Sequence, residues 1–223
     1  MRTVFLRVLE ADDKAAALLD AISRPEWALG QQRFEVDTNS FASVPRSPFA
    51  YWVSDRVLAL FKELPPVEAE GRGLSIGAST KNDFRYVRSQ VEVLPGSIAG
   101  SRSETETRQW VPFAKGGAFS PYYADVHLLV NWAANGLVLK ADITEYRGSR
   151  GWGYQWSAAL NGHDHYFRPG LTWPRRTNGL SFRAMPAGCI FADKGPAAFV
   201  ENDNVDELLA LACITNSRAF GLL

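Results

Sequence analysis

The sequence predicts an α+β protein. Two observations carry this: apolar residues recur at helical spacing near both ends, and a long middle stretch holds short apolar runs cut by Gly, Pro, Asn and Asp. Residues 12–23 (DDKAAALLDAIS) space their apolar positions as a helix does behind an acidic start, and Pro25 ends that helix. Residues 31–44 read as extended and loop-like. Ser47-Pro48 introduces a second helix over roughly 50–63, with Tyr51, Val57, Leu58 and Phe61 on one apolar face; Pro65-Pro66 stops it. Between Gly71 and Phe199, Val126 to Trp132 reads as a buried strand. Asn135-Gly136 then gives a turn and Leu137-Val138-Leu139 a returning strand, so the two predict a hairpin. Leu180 to Arg183 and Gly188 to Phe191 are further short strands. Residues 204–220 return to helix, with Asn204 or Asp206 as cap and Leu208, Leu209, Leu211, Ala212 and Ile214 as apolar content. The expected organisation is a helical lead-in over 1–70 and a β-rich domain over 71–223 closed by the C-terminal helix. Its sheet is expected to be mixed or mainly antiparallel and partly barrel-like.

With 46% hydrophobic and 22% charged residues in 223, the chain can bury a core and is a folded protein. No apolar run approaches the roughly 20 residues that span a bilayer. The start, MRTVFLRVLEADDKAA, is too interrupted by charge for a signal peptide, so the expected location is the cytoplasm, with no membrane partner. Cys189 and Cys213 share no metal-type spacing and read as reduced, buried thiols. The net charge of +0 hides a pattern. Residues 1–70 hold 8 basic and 11 acidic side chains, residues 71–200 hold 15 and 9, and residues 201–223 hold 1 and 4. The basic middle is also where tryptophans and glycines concentrate, a combination that suits a polyanion with stackable bases.

Five segments carry a family resemblance. Ser47-Pro48-Phe49-Ala50-Tyr51-Trp52-Val53-Ser54 resembles the segment that leaves the catalytic domain in type IIG and related defence methyltransferases. Asp83-Phe84-Arg85-Tyr86-Val87-Arg88, followed by Val91-Glu92-Val93, resembles their first recognition-region motif. Trp110 to Gly117 with Pro121 to Asp125 is similar to their Lys-Gly-Gly motif, continued by Asn131-Trp132 and Asn135-Gly136. Gly170 to Arg176, with Phe182-Arg183 and Pro186 to Phe191, is similar to their most recognisable block, and Leu208 to Arg218 resembles the closing helix. Order and spacing across this span make the match specific. The chain therefore resembles the C-terminal target-recognition region of type IIG and BREX-like N6-adenine DNA methyltransferases of restriction-modification and phage defence.

The resemblance implies a sequence-specific DNA recognition module. Its partners would be double-stranded DNA and a catalytic methyltransferase domain, in the same longer chain or a separate subunit. It further implies DNA contacts from Lys81, Asn82, Arg85, Lys115, Gly116, Gly117, Arg150, Trp173, Arg175 and Arg176. Family members also carry a Gly-rich S-adenosylmethionine loop and an Asn-Pro-Pro-Tyr-type motif that holds the target amine. Here Pro65-Pro66 follows Leu64, and Gly71-Arg72-Gly73 and Gly77 lack the loop-to-helix pattern. The expectation is a module that is not catalytic alone and binds no cofactor, with S-adenosylmethionine belonging to the missing catalytic domain.

Read without the family, the same residues keep two meanings. Methylating a base takes it out of the duplex, so the site must be gripped on its phosphates and read at its base edges. Lys115-Gly116-Gly117 fits a phosphate contact, because two glycines let backbone N–H groups approach a strand; a lysine before a tight turn is the alternative. Trp173-Pro174-Arg175-Arg176 is a rigid aromatic-basic loop, with Trp173 equally suited to a core. Arg147, Arg150, Trp152, Tyr154 and Trp156 share a Gly-rich stretch that ordinary loops also show. In Asp83 to Arg88 the expected split is aromatics inward and Arg85 outward, with Arg88 and Glu92 paired internally. His163-Asp164-His165 offers too few ligands for a metal, and no Gly-x-Ser-x-Gly elbow supports a serine triad. The competing function is a β-rich carbohydrate- or ligand-binding module, which seven tryptophans and seven tyrosines allow.

Overall fold

Asp13, Ser54, Asn82 and Asn204 each place a side-chain oxygen ahead of a helix-forming run. Each accepts a backbone N–H from the residue three on: Ala16 (3.0 Å), Val57 (3.4 Å), Arg85 (3.1 Å) and Glu207 (3.0 Å). These caps set the starts of α1 (Lys14–Ser23), α2 (Asp55–Glu63), α3 (Asp83–Tyr86) and, near the end of the chain, α5 (Val205–Thr215). The computed structural model describes residues 2–24, 33–69 and 71–222, and the chain divides into the units Met1–Pro66 and Val67–Leu223.

In the first unit β1 (Arg2–Leu6) pairs antiparallel with β2 (Arg33–Asp37), a ribbon the sequence reading did not anticipate. Phe5 on β1 stacks on Tyr51 at 4.7 Å, and Phe41 and Phe34 close the cluster edge-on. Tyr51 is thus held by aromatic packing ahead of α2, not on its apolar face, because Ser54 delays the helix start. Pro25 and residues 31 and 32 lie outside the described residues.

The second unit carries two four-stranded sheets. In the first, β3 (Gly73–Ser75), β10 (Ala197–Phe199), β7 (Gly170–Thr172) and β8 (Arg183–Met185) lie side by side, all antiparallel. In the second the order is β4 (Val87–Ser89), β6 (Leu128–Asn131), β5 (Trp110–Ala114) and β9 (Ile190–Phe191); β5 and β9 run parallel and the other pairs antiparallel. The fold class is α+β, as expected. The partly barrel-like sheet is a correction: neither sheet closes on itself among the described residues.

Four further local expectations fail. The hairpin from Val126 to Leu139 is a strand followed by a helix, α4 (Ala133–Ser149). Both edges of β6 are taken by β4 and β5, so no edge is free for a returning strand. The Asn135-Gly136 signal does mark left-handed backbone (Ala134 φ 47°, Asn135 φ 53°, Gly136 φ 75°), but it turns the chain into α4 instead. Asp83 to Arg88 is one helical turn running into β4, so Phe84 and Tyr86 lie about 200° apart around it. Tyr86 is buried and Phe84 is 92% exposed, against the inward placement expected for both. Arg88 does not pair with Glu92: it donates to the carbonyls of Phe84 and Val87, while Glu92 accepts the Ser89 N–H (2.7 Å). Cys189 is buried, which pushes its thiol up to about 12, but Cys213 is exposed.

The main core gathers Val111, Phe113, Val130, Ile190, Phe191 and Phe199 from the sheets with Trp132, Leu139 and Ile143 from α4 and its entry. A smaller cluster packs Leu208, Leu211 and Ala212 of α5 on Leu171, Phe182 and Val200, and Asn216 ties the helix end to both backbone polar groups of Phe182. No helix among the described residues is long and apolar enough to cross a membrane.

Helix and hairpin make different demands on Leu137 and Leu139. A strand would put both on one face, whereas α4 buries Leu139 with Ile143 and exposes Leu137. Denaturant unfolding of Leu139→Ala is expected to show a loss of about 2–5 kcal/mol. Leu137→Ala is expected to stay within about 0.5 kcal/mol of the unsubstituted chain.

Candidate nucleic-acid interface

Gly116 and Gly195 let two loops cross in close contact. The segment after β5 runs past the turn that links β9 to β10, and a Cβ on Gly116 would collide with the Lys194 carbonyl oxygen. A Cβ on Gly195 would stand 2.6 Å from the Gly116 nitrogen and 3.0 Å from the Ala114 carbonyl oxygen. Gly116 (φ 87°) and Gly117 (φ 120°) hold left-handed backbone that disfavours a side chain. Further hydrogen bonds lock the crossing: Ala192 N–H to Ala114 (2.9 Å), Gly195 N–H to Ala192 (3.1 Å), and the Thr172 hydroxyl to the Gly195 and Pro196 carbonyls (3.2 and 2.9 Å). Arg175 joins through its own N–H, which donates to the Lys194 carbonyl at 3.0 Å.

This crossing brings Lys115, Gly116, Gly117 and Arg175 together, with Arg176 following Arg175. Arg175 and Arg176 are exposed and have no carboxylate partner among the described residues. The N–H groups of Gly116 and Gly117 donate no hydrogen bond within the described residues. Lys115 is differently placed from the expected outward lysine: its ammonium is paired with Asp83, whose other oxygen accepts the Thr80 hydroxyl at 2.5 Å. Burial alone would raise the Asp83 carboxyl, but the hydrogen bonds from Lys115 and Thr80 prevail and hold it below the ordinary aspartate value. Asn82, the cap of α3, and Lys81, a left-handed residue (φ 61°), adjoin this pair in sequence and are exposed.

The side chains of three expected contacts are engaged elsewhere. Arg85 is exposed but bound to Asp142 of α4 at 2.5 Å; Asp142 also accepts the Tyr86 hydroxyl. Arg150 ends α4 over the Tyr146 ring (5.4 Å), about 12 Å beyond Asp142 along the helix axis. Trp173 is half-buried, stacked on Phe182 at 4.5 Å within the smaller core.

Two further residues at the crossing were not among the expected contacts. Arg183, 6% exposed, donates to the carbonyls of Gly116 and Ala118 and props the glycine loop from beneath; burial lowers its pKa. Lys194 lies at the crossing itself, paired with Asp193 at 2.5 Å. Asp193-Lys194-Gly195-Pro196 is a turn signature that could have pointed to it. Lys115, Gly116, Gly117, Thr172 and Arg183 line a cavity of about 180 Å³ together with Asp125 and His127. Chemically, the surface offers free N–H donors in a left-handed turn, two unpaired arginines and two lysines in weak pairs, a donor set suited to anionic oxygens.

Comparison with known proteins finds two similar adenine-specific methyltransferases. The Adenine-specific methyltransferase PglX of Lacticaseibacillus casei (strain Zhang) is 26% identical over 222 residues, covering 94% of this chain and 17% of the relative. The Adenine-specific methyltransferase BrxX of Escherichia coli O9:H4 (strain HS) is 29% identical over 182 residues, covering 81% of this chain and 14% of the relative. The chain is thus homologous to adenine-specific methyltransferases and spans about a sixth of their length. No family model matches.

The Lys115–Asp83 pair has a defined pH signature. Because the folded carboxyl is lowered, the pair's contribution is fully present above the ordinary aspartate range and is lost as pH falls through the lowered value. Both side chains are partly solvated, so Asp83→Asn should cost about 1 kcal/mol or less at pH 7. Urea unfolding across pH should show the gap between the two proteins narrowing toward acid pH.

Proposed function

We propose that this chain is the DNA target-recognition module of an adenine-specific methyltransferase of the phage-defence type, holding duplex DNA so that a catalytic domain outside this chain can flip and methylate an adenine. The observation that carries the reading is the chain-long likeness to two adenine-specific methyltransferases, each of which matches with only a small part of its own length. The crossing at Gly116 supplies the matching chemistry. The free N–H groups of Gly116 and Gly117 meet a phosphate, and Lys115 and Lys194 can exchange their aspartates for phosphate oxygens. Arg175 and Arg176 are free to reach base edges, where an arginine pairs bidentately with guanine.

Among the described residues, the glycines Gly77 and Gly136 do not form a cradle for S-adenosylmethionine. The strand-to-helix turn after β6 holds one glycine, Gly136, whose missing Cβ is filled by the Trp132 ring at 3.0 Å, and Gly77 backs directly onto Phe191. These glycines serve packing, so no methyl-transfer step is derived from this chain.

Fluorescence anisotropy with labelled duplexes tests the reading. The chain is expected to bind with Kd of about 10⁻⁴–10⁻⁶ M and to weaken steeply with salt, as counterion release requires. Lys115→Ala should lower affinity for all sequences and flatten the salt slope by about one unit. Arg175→Ala or Arg176→Ala should relax sequence preference by about 1–3 kcal/mol at one position. A folded triple variant that matches the parent in affinity and slope would refute the reading. Calorimetric titration with S-adenosylmethionine should show no micromolar binding; a measurable site would overturn the assignment of the cofactor to another domain.

A further inference from the structure

Arg102 and Lys140 share neighbours, and the Arg102 charge is felt at the Lys140 ammonium. Arg102 precedes the short turn Ser103–Glu106, and Lys140 stands on α4. A closed ring of contacts joins them. Arg102 donates one guanidinium N–H to Asn135 Oδ1 (3.3 Å) and another to the His163 carbonyl (3.1 Å). The His163 ring meets Trp156 edge-on at 5.1 Å. Lys140 Nζ lies over Trp156 at 4.7 Å and over Trp132 at 5.5 Å, and Trp132 Nε1 returns to Asn135 Oδ1 at 3.2 Å.

Neither cation has a carboxylate partner among the described residues. Glu104 holds Arg108 and the Gly100 N–H, Asp142 holds Arg85 and Tyr86, and Asp164 lies 3.5 Å from His163 on the outside. Burial, and then the Arg102 charge, holds the Lys140 ammonium below its ordinary value. The backbone here is also strained: Ala134 and Asn135 sit in left-handed conformations, and Asn135 Oδ1 is the atom that ties Arg102 to Trp132. Like charges brought together on aromatic walls are stabilised when an anion enters between them. Arg102 lies over the Phe167 ring at 5.1 Å and keeps the guanidinium N–H groups that Asn135 and His163 do not use. A phosphodiester suits this pair, since one non-bridging oxygen can take those N–H groups and the other the point charge of the ammonium.

We propose that Arg102 and Lys140 form a second phosphate contact, separate from the Gly116 crossing, which takes a backbone phosphodiester of a nucleic-acid strand. The proposal rests on the DNA-binding reading above. Its test measures anisotropy of a labelled duplex across a salt series with the full chain, Arg102→Gln, Lys140→Met and the double variant, each checked by thermal melting. Each single change is expected to weaken binding to unrelated duplexes alike and to flatten the slope of log K against log salt by about one unit, the double by about two. Arg102 is exposed, so its variant carries the test alone if Lys140→Met unfolds. Folded variants with unchanged affinity and slope, beside a parent that binds, overturn this contact and leave the DNA reading standing. A parent that binds no duplex at low salt overturns both. A parallel titration with the mononucleotide dAMP separates the phosphate sources: dAMP binding lost in the double variant, with duplex binding unchanged, would make this a monoester site and defeat the backbone contact.

Discussion

The second unit is organised by the close passage of two backbones at Gly116 and Gly195. Side chains there would hold the loops apart, since each missing Cβ is replaced by backbone atoms of the other loop. The turn from Asp193 to Pro196 leaves one sheet at β9 and enters the other at β10, so the crossing also ties the two sheets together. Thr172 seals it by donating to two consecutive carbonyls from a fully buried position. Arg183 does the same from beneath, using a buried guanidinium to satisfy the carbonyls of Gly116 and Ala118. Carbonyls that would otherwise be orphaned by two glycine loops are thereby paired, while the N–H groups of Gly116 and Gly117 donate no hydrogen bond among the described residues.

The charges around this passage fall into graded classes. Arg183 is a structural cation, buried and committed to carbonyls. Lys115 and Lys194 are held by Asp83 and Asp193, and such partly solvated pairs are worth about 1 kcal/mol or less, so a phosphate can compete for them. Arg175 and Arg176 are unpaired and exposed. Arg85 belongs to a different arrangement, an Arg85–Asp142–Tyr86 network in which burial and the Asp142 hydrogen bond push the tyrosine up to about 12. Of the basic residues singled out from sequence, Lys115, Arg175 and Arg176 therefore belong to one local arrangement, and Arg85 and Arg150 are fixed to α4.

What the sequence made legible was local and chemical. Asn204 announced the closing helix because a cap acts on its own neighbours within one turn. The glycine pair after Lys115 announced a close backbone approach or a tight turn, and both glycines hold left-handed backbone. The misreadings arose where tertiary pairing decides. Asn135-Gly136 gives a hairpin only if an edge strand is free, and β4 and β5 occupy both edges of β6. Alternation in Asp83 to Arg88 looked like a strand until the Asn82 cap and the Thr80–Asp83 bond wound its first turn into helix. Asp193 to Pro196 was legible as a turn, but not as a site, because its partner, Gly116, is distant in sequence. Trp173 could be weighed but not decided, since stacking on Phe182 and stacking on a base ask for the same flat face.

The central claim is that the surface built on the Gly116–Gly195 passage is where nucleic acid lies. Backbone amide chemical shifts of the full chain, followed while a short DNA duplex is added, test this most directly. Salt-sensitive, saturating shifts are expected at Gly116, Gly117, Arg175, Arg176 and Lys194, with the buried amides of β9 and β10 unmoved. Shifts confined to residues 2–66, or absent at Gly116 and Gly117 while other amides saturate, would contradict it.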